Sequence, residues 1–125
     1  MPYKILYIED NPDNRTLVKR ALEARGYQFL GAVNGQEGLD AVNSQQPDVI
    51  LLDINLPDID GYEVARRLRE IKTPYALYVP VIAVTANALK GDAEKALAAG
   101  CNVYMSKPIN IRELWARVEA CLPAS

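Results

Sequence analysis

Four short stretches of this chain carry groups that could do chemistry together: Glu9-Asp10, Asp53, Thr85 and Lys107. Each one closes a short apolar run. Ile5-Leu-Tyr-Ile8 runs into Glu9-Asp10, and Val49-Ile-Leu-Leu52 into Asp53. Val81-Ile-Ala-Val84 runs into Thr85, and Cys101 to Met105 into Ser106-Lys107. A run of about four apolar residues bounded by turn signals fits a strand buried on both faces of a parallel sheet. The polar group at its end then stands where the strand leaves the core. Two like charges about 4 Å apart repel by roughly 4 kcal/mol at an effective dielectric near 20. Three carboxylates on one rim therefore need raised pKa values or a cation. Oxygen ligands without His or Cys suit a hard cation such as Mg²⁺, with Mn²⁺ as a substitute. Lys107 and the Thr85 hydroxyl at the same edge suit the oxygens of a phosphoryl group. Asp53 is then a carboxylate nucleophile, and an ionised one needs no general base. Taken singly, each residue has a plainer reading. Glu9-Asp10 could cap a helix, Asp53 could start a turn, Thr85 could be a strand end, and Lys107 a solvated loop charge.

The elements between these groups alternate. After strand one, Pro12 stands near a first helical position, and Leu17, Val18, Ala21 and Leu22 form a helical stripe that stops at Gly26. Tyr27 to Val33 is a weaker strand. Asn34-Gly-Gln-Glu37, Asp60-Gly-Tyr-Glu63 and Asn110-Ile-Arg-Glu113 are capping boxes that open three helices. Residues 73–80, with two prolines and two tyrosines, read as a loop. A helix from about Leu89 to Ala99 is rich in alanine, with Leu89 and Leu97 as its large anchors. Five βα units in strict alternation predict a doubly wound α/β fold, a five-stranded parallel sheet with helices on both faces. For strand order 2-1-3-4-5, one of the standard doubly wound arrangements, ligands bind between strands one and three. Those are the strands that end in Glu9-Asp10 and Asp53.

The bulk properties narrow the alternatives. The 125 residues read as a single domain, 1–125, with 50% hydrophobic and 24% charged residues. A net charge of −2 gives no footprint for nucleic acid, and the absence of histidine excludes His-based catalysis and His metal sites. Cys101 and Cys121 lack metal-ligand spacing and read as reduced, buried residues. No signal or transmembrane run is visible, which makes a cytoplasmic location the expectation.

At these residues the chain resembles the receiver domain of two-component response regulators, from end to end. The carrying motifs are Glu9-Asp10, Asp53-Ile-Asn-Leu-Pro-Asp-Ile-Asp-Gly61, Val84-Thr85-Ala86 and Tyr104-Met-Ser-Lys107-Pro108. In narrower pattern it is similar to DivK-like single-domain regulators and to receivers of hybrid kinases. The resemblance implies that Asp53 accepts a phosphoryl group from phosphohistidine on a histidine kinase or histidine phosphotransfer protein. It implies Mg²⁺ held by Asp10 and Asp53, by Glu9 through water, and by the Asn55 carbonyl, with Thr85 and Lys107 on the phosphoryl oxygens. It implies a cis Lys107–Pro108 bond, and a switch in which Thr85 moves inward and Tyr104 follows. The surface of the fourth helix, fifth strand and fifth helix would then be the output face, with Lys90, Lys95, Tyr104 and Trp115 on it. Trp115 could instead pack against a neighbouring helix. Asn55 and Asn87 flank the site and would tune the phosphoryl lifetime. The expected product is a phospho-accepting switch rather than an enzyme, a monomer or weak dimer without an output domain. Two other readings stand beside it: a receiver excised from a hybrid histidine kinase, and a Mg²⁺-dependent phosphohydrolase that works through an aspartyl-phosphate. The latter is disfavoured by Asn55, where a second acid is wanted.

Overall fold

The computed structural model describes residues 2–86 and 91–123. Asn87, Leu89 and Lys90 lie outside them. The elements follow in the order β1 (Lys4–Ile8), α1 (Pro12–Glu23), β2 (Gln28–Ala32), α2 (Gly35–Gln45), β3 (Val49–Asp53) and α3 (Gly61–Glu70). They continue with α4 (Pro74–Tyr78), β4 (Val81–Thr85), α5 (Asp92–Ala99), β5 (Val103–Ser106) and α6 (Ile111–Cys121). The strands form one parallel sheet in the order β2-β1-β3-β4-β5. The register sets Ile8 beside Leu52, Asp53 beside Val84, and Thr85 beside Ser106. The residues after these positions therefore leave the core along one edge.

Successive side chains of a strand point to opposite faces, so each central strand feeds two cores. Ile5, Tyr7, Val49, Leu51 and Ile82 pack with Val18 and Leu22 of α1 and Leu114 and Val118 of α6. Leu6, Ile8, Ile50, Leu52 and Ala83 pack on the other face with residues of α2, α3, α4 and α5. All five residues of β3 are buried, Asp53 included. At roughly 2 kcal/mol for each large apolar side chain removed from water, these two layers fix which strand is central.

Local chemistry starts the helices where the sequence predicts. Asn34 accepts from the Glu37 amide at 2.8 Å, Asp60 from Glu63 at 2.9 Å, and Asn110 from Glu113 at 3.0 Å. The return bonds of the capping boxes differ. Glu37 reaches the Val33 amide, and Glu63 turns to Arg66 and Arg67. Asp58, in the loop after β3, accepts from the amides of Gly35 and Gln36 and ties that loop to the start of α2.

Residues 73–80 are not wholly loop. Thr73 accepts from the Ala76 amide, Pro74 occupies the first turn, and Pro74–Tyr78 is a short helix. The Tyr75 hydroxyl donates to the Pro47 carbonyl at 2.6 Å, which joins α4 to the chain entering β3. Arg69 clamps the same end of the sheet. Its guanidinium donates to the carbonyls of Gly100 and Ala76 and to the Asn102 side chain. Asn102 in turn accepts the Val81 amide. The fifth strand begins at Val103 rather than Cys101, and Asn102 is spent on this clamp.

The turn after Asp53 is closed by the Gly61 amide, which donates to the Ile54 carbonyl at 2.9 Å. A Cβ at Gly61 would sit 2.6 Å from the Asp53 carbonyl oxygen and 2.7 Å from Ile54 Cα, both rigid backbone. Gly61→Ala should therefore cost about 1–3 kcal/mol through backbone displacement. It should appear as a lower urea midpoint with unchanged slope, and an unchanged midpoint would refute the close packing of this turn.

Candidate active site

The carboxyl edge of β1, β3 and β4 gathers the acids. Glu9, Asp10 and Asp53 each place a carboxylate oxygen within 4.8 Å of the others. Glu9 and Asp53 are 1% exposed, while Asp10 is open to solvent. One oxygen of Glu9 is saturated. Oε1 accepts from Asn14 Nδ2 at 2.7 Å, Lys107 Nζ at 3.1 Å and the Tyr7 hydroxyl at 3.3 Å. The other, Oε2, is buried and has no partner among the described residues. Asp53 Oδ1 accepts from the Asn55 amide at 3.2 Å, and Oδ2 lies 3.1 Å from Lys107 Nζ.

The backbone holds these groups in place. Arg15 donates to the Glu9 carbonyl at 2.6 Å, and the Asn11 side chain caps the first turn of α1. The Lys107 amide donates to the Thr85 carbonyl at 2.8 Å, and the Lys107–Pro108 peptide is cis. Lys107 thus leaves the sheet directly over the acids. Thr85 is buried at the end of β4, and its hydroxyl donates to Asp92 Oδ2 at 2.9 Å. A groove of about 320 Å³ opens beside Lys107, lined by Asn14, Leu17, Pro108 and Ile109.

Two buried carboxylates share one ammonium here, and their proton affinities separate. Burial and the neighbouring Glu9 push Asp53 up to about 7, against the pull of Lys107 and the Asn55 amide. Burial also acts on Glu9, but the neighbouring Asp53 carboxyl, Asn14 and Lys107 hold it below the usual carboxylate range. Lys107 is itself penalised by burial, yet Asp53 and Glu9 keep it firmly protonated. The unpartnered Glu9 Oε2 and the raised Asp53 are what such a cluster shows without a second positive charge. The donor set of carboxylate oxygens beside the turn at Asn55 fits a hard divalent cation.

Of the residues singled out in the sequence, Glu9, Asp10, Asp53 and Lys107 converge on this rim. Asn55 follows at its mouth, and Thr85 ends the adjacent strand. Tyr104, 38% exposed, lies with Leu97, Glu113 and Arg117 along a separate groove between α5, β5 and α6. Lys95 is exposed on α5. Trp115 does not belong to that face. Its Nε1 donates to the Ala21 carbonyl of α1 at 2.8 Å, and the Arg25 guanidinium covers its ring at 4.1 Å. The sequence reading missed Asn14, Arg15 and Tyr7, which orient Glu9, and Asp92, which holds Thr85. The strand period does place Tyr7 on the face of Ile5, but nothing in the sequence points its hydroxyl at Glu9.

The raised Asp53 fixes a sign. A carboxyl with a folded pKa above its unfolded value gives stability that is complete below the unfolded value and lost as pH rises through the folded one. Glu9, shifted down, stays ionised above its ordinary range and adds no slope there. In metal-free buffer the thermal midpoint should fall between about pH 5 and pH 8. The fall should vanish in Asp53→Asn, whose midpoint at the upper pH should lie on the order of 5 °C above the parent. A parallel fall in both proteins would rule out Asp53 as its source.

Comparison with known proteins agrees with this geometry. The family model described as the response regulator receiver domain matches residues 5–119. The polar-differentiation response regulator DivK of Brucella anthropi is 42% identical over 111 residues, 89% of each chain, and that of Brucella ovis is 40% identical over the same share. Among solved structures, the receiver domain of a sensor histidine kinase from Pseudomonas aeruginosa is 38% identical. It has a TM-score of 0.87, over 96% of this chain and 97% of that one, and carries a magnesium ion coordinated in its active-site cleft. A two-component response regulator from Clostridium difficile is 30% identical with a TM-score of 0.87, over 95% of this chain and 94% of that one. A Vibrio cholerae chemotaxis regulator of the CheY type, at 24% identity and a TM-score of 0.90 over 98% of this chain and all of that one, shares the fold. The chain belongs to the response regulator receiver domain family.

Proposed function

We propose that Asp53 is the phosphoacceptor of a two-component or phosphorelay switch, with residues 1–125 acting as one receiver unit. The observation that carries this reading is the Asp53 carboxylate, buried beside Glu9 and Asp10 with Lys107 Nζ at 3.1 Å. The donor is a phosphohistidine on a histidine kinase or phosphotransfer protein. An Asp53 oxygen attacks phosphorus, the new O–P bond forms as the P–N bond breaks, and the imidazole leaves. Positioning and electrostatics carry such a transfer, since there is little covalent work for the protein to do. Lys107, already between Glu9 and Asp53, pairs with a phosphoryl oxygen. Thr85 offers its hydroxyl to another, and the small Ala86 leaves room. Asp10, Asp53, the Asn55 carbonyl and Glu9 would hold Mg²⁺, or Mn²⁺ in its place. When bound, the cation neutralises charge on the oxygens of the transferring group.

The 320 Å³ groove beside Lys107, with Leu17 42% exposed at its wall, supplies an apolar surface for the donor next to the acceptor. Water attack on the acyl-phosphate resets the switch, and Asn55 stands at the mouth to influence its rate. The surface of α5, β5 and α6, where Tyr104 is now turned outward, reports the state to a target protein. Among the described residues no helix is long and apolar enough to cross a membrane, which accords with a cytoplasmic place of action.

Acetyl phosphate with Mg²⁺ should add one phosphoryl group by intact mass. The adduct should be absent in Asp53→Asn and without the metal. Lys107→Ala should slow its formation by roughly 10²-fold or more, the scale of removing one charge stabiliser. Phosphorylation that persists in Asp53→Asn would overturn the assignment.

A further inference from the structure

Thr85 has one hydroxyl proton, and in this structure Asp92 holds it at 2.9 Å. Donation to a phosphoryl oxygen on Asp53 therefore requires Thr85 to let go of Asp92. The half-buried carboxylate left behind needs another donor, because an acceptor stripped of its partner away from water is costly. A second hydroxyl is waiting. Tyr62, in the first turn of α3, has its hydroxyl oxygen buried with no partner at hydrogen-bonding geometry among the described residues. Burial, next hydrogen bonding toward Asp92 and then the charge of that carboxylate push the hydroxyl up to about 12. Asp92 is the first residue of α5, and α3 and α5 pack against each other. One carboxylate thus stands between two hydroxyls, bonded to one and beside the other.

Resting on the phosphoacceptor reading of Asp53, we propose that Asp92 is a relay that exchanges the Thr85 hydroxyl for the Tyr62 hydroxyl when Thr85 turns to the phosphoryl group. Asp92 and Tyr62 are positioning residues. They touch neither phosphorus nor metal, and they set what it costs Thr85 to move. In the resting state the Tyr62 hydroxyl approaches Asp92 short of full hydrogen-bonding geometry, and Thr85 is held. In the loaded state Thr85 bonds the phosphoryl group and Tyr62 bonds Asp92, so the exchange converts a buried orphan into a charge-assisted bond. The start of α5 thereby passes from contact with β4 to contact with α3, without any change in the charge of Asp92.

The test is a set of beryllofluoride affinities, measured with Mg²⁺ by NMR titration on the whole chain. Tyr62→Phe removes only the hydroxyl and should weaken beryllofluoride binding on the order of tenfold, the scale of one hydrogen bond to a charged group. The same change should have no effect in an Asp92→Ala background, where Tyr62 gains no partner in either state. It should also have none in a Thr85→Val background, where Asp92 is open to Tyr62 before loading. A packing role for Tyr62 would give equal effects in all three backgrounds, and that additivity would overturn the relay. So would unchanged or tighter binding in Tyr62→Phe alone. If the parent chain takes no beryllofluoride, the phosphoacceptor reading itself falls and the relay with it. Binding by the parent with additive effects refutes the relay alone.

Discussion

Glu9 and Asp53 are both withdrawn from water at the carboxyl edge of the sheet, and among the described residues a single ammonium, that of Lys107, lies 3.1 Å from each. That imbalance is the constraint around which the molecule is built. Charges of one sign at such spacing cost several kcal/mol unless a counter-charge or a proton intervenes. Every element that ends at this rim contributes to managing the cost. β1 delivers Glu9 and Asp10, α1 supplies Asn14 and Arg15, β3 delivers Asp53, and the bend after β5 lowers Lys107 onto them. The apolar layers on both faces make the arrangement affordable, because strands buried this completely have no alternative register in which the acids could reach solvent.

The edge is also asymmetric. Asp10 is exposed while its neighbour Glu9 is buried, so the cluster has an open side and a closed side. The closed side is occupied by Tyr7, Asn14 and Lys107 around Glu9, and by the Asn55 amide and Lys107 around Asp53. A ligand approaching from solvent therefore meets Asp10 before Glu9 and Asp53. The groove beside Leu17 continues from this edge along the surface, past Asn14 and Lys107.

Much of this was legible in the sequence, for particular reasons. The run Val49-Ile-Leu-Leu reads as a doubly buried strand because no residue in it could tolerate solvent, and Asp53 stands out against that background. Asn34, Asp60 and Asn110 announce their helices because capping is decided within four residues. What escaped depends on contacts between distant elements. The helix Pro74–Tyr78 is too short for periodicity to declare, and its Tyr75 is explained by Pro47, on the far side of β3 and α3 in sequence. Trp115, one residue off the apolar stripe of α6, reads equally as an output-face residue or as packing against a neighbouring helix, and only the contact of α6 with α1 selects the second, at the carbonyl of Ala21 and under Arg25. Asp92 gave no signal because its bond joins the first residue of α5 to the last residue of β4, a contact between elements that no local rule dictates.

The Arg69 clamp at the opposite end of the sheet has a consequence of another kind. Its donors go to the carbonyls of Gly100 and Ala76 and to the Asn102 amide oxygen and, among the described residues, to no carboxylate. Gly100 accepts this approach with φ +112 and no Cβ in the way of the arginine chain. Bonds from a cation to neutral dipoles are short-ranged, and mobile ions have little hold on them, whereas the exposed pairs of Glu63 with Arg66 and Arg67 fade as counterions accumulate. The base of the fold is therefore insulated from ionic strength. Salt acts instead at the acidic rim, where it changes how strongly cations are drawn to the cleft while the frame that carries the cleft keeps its shape.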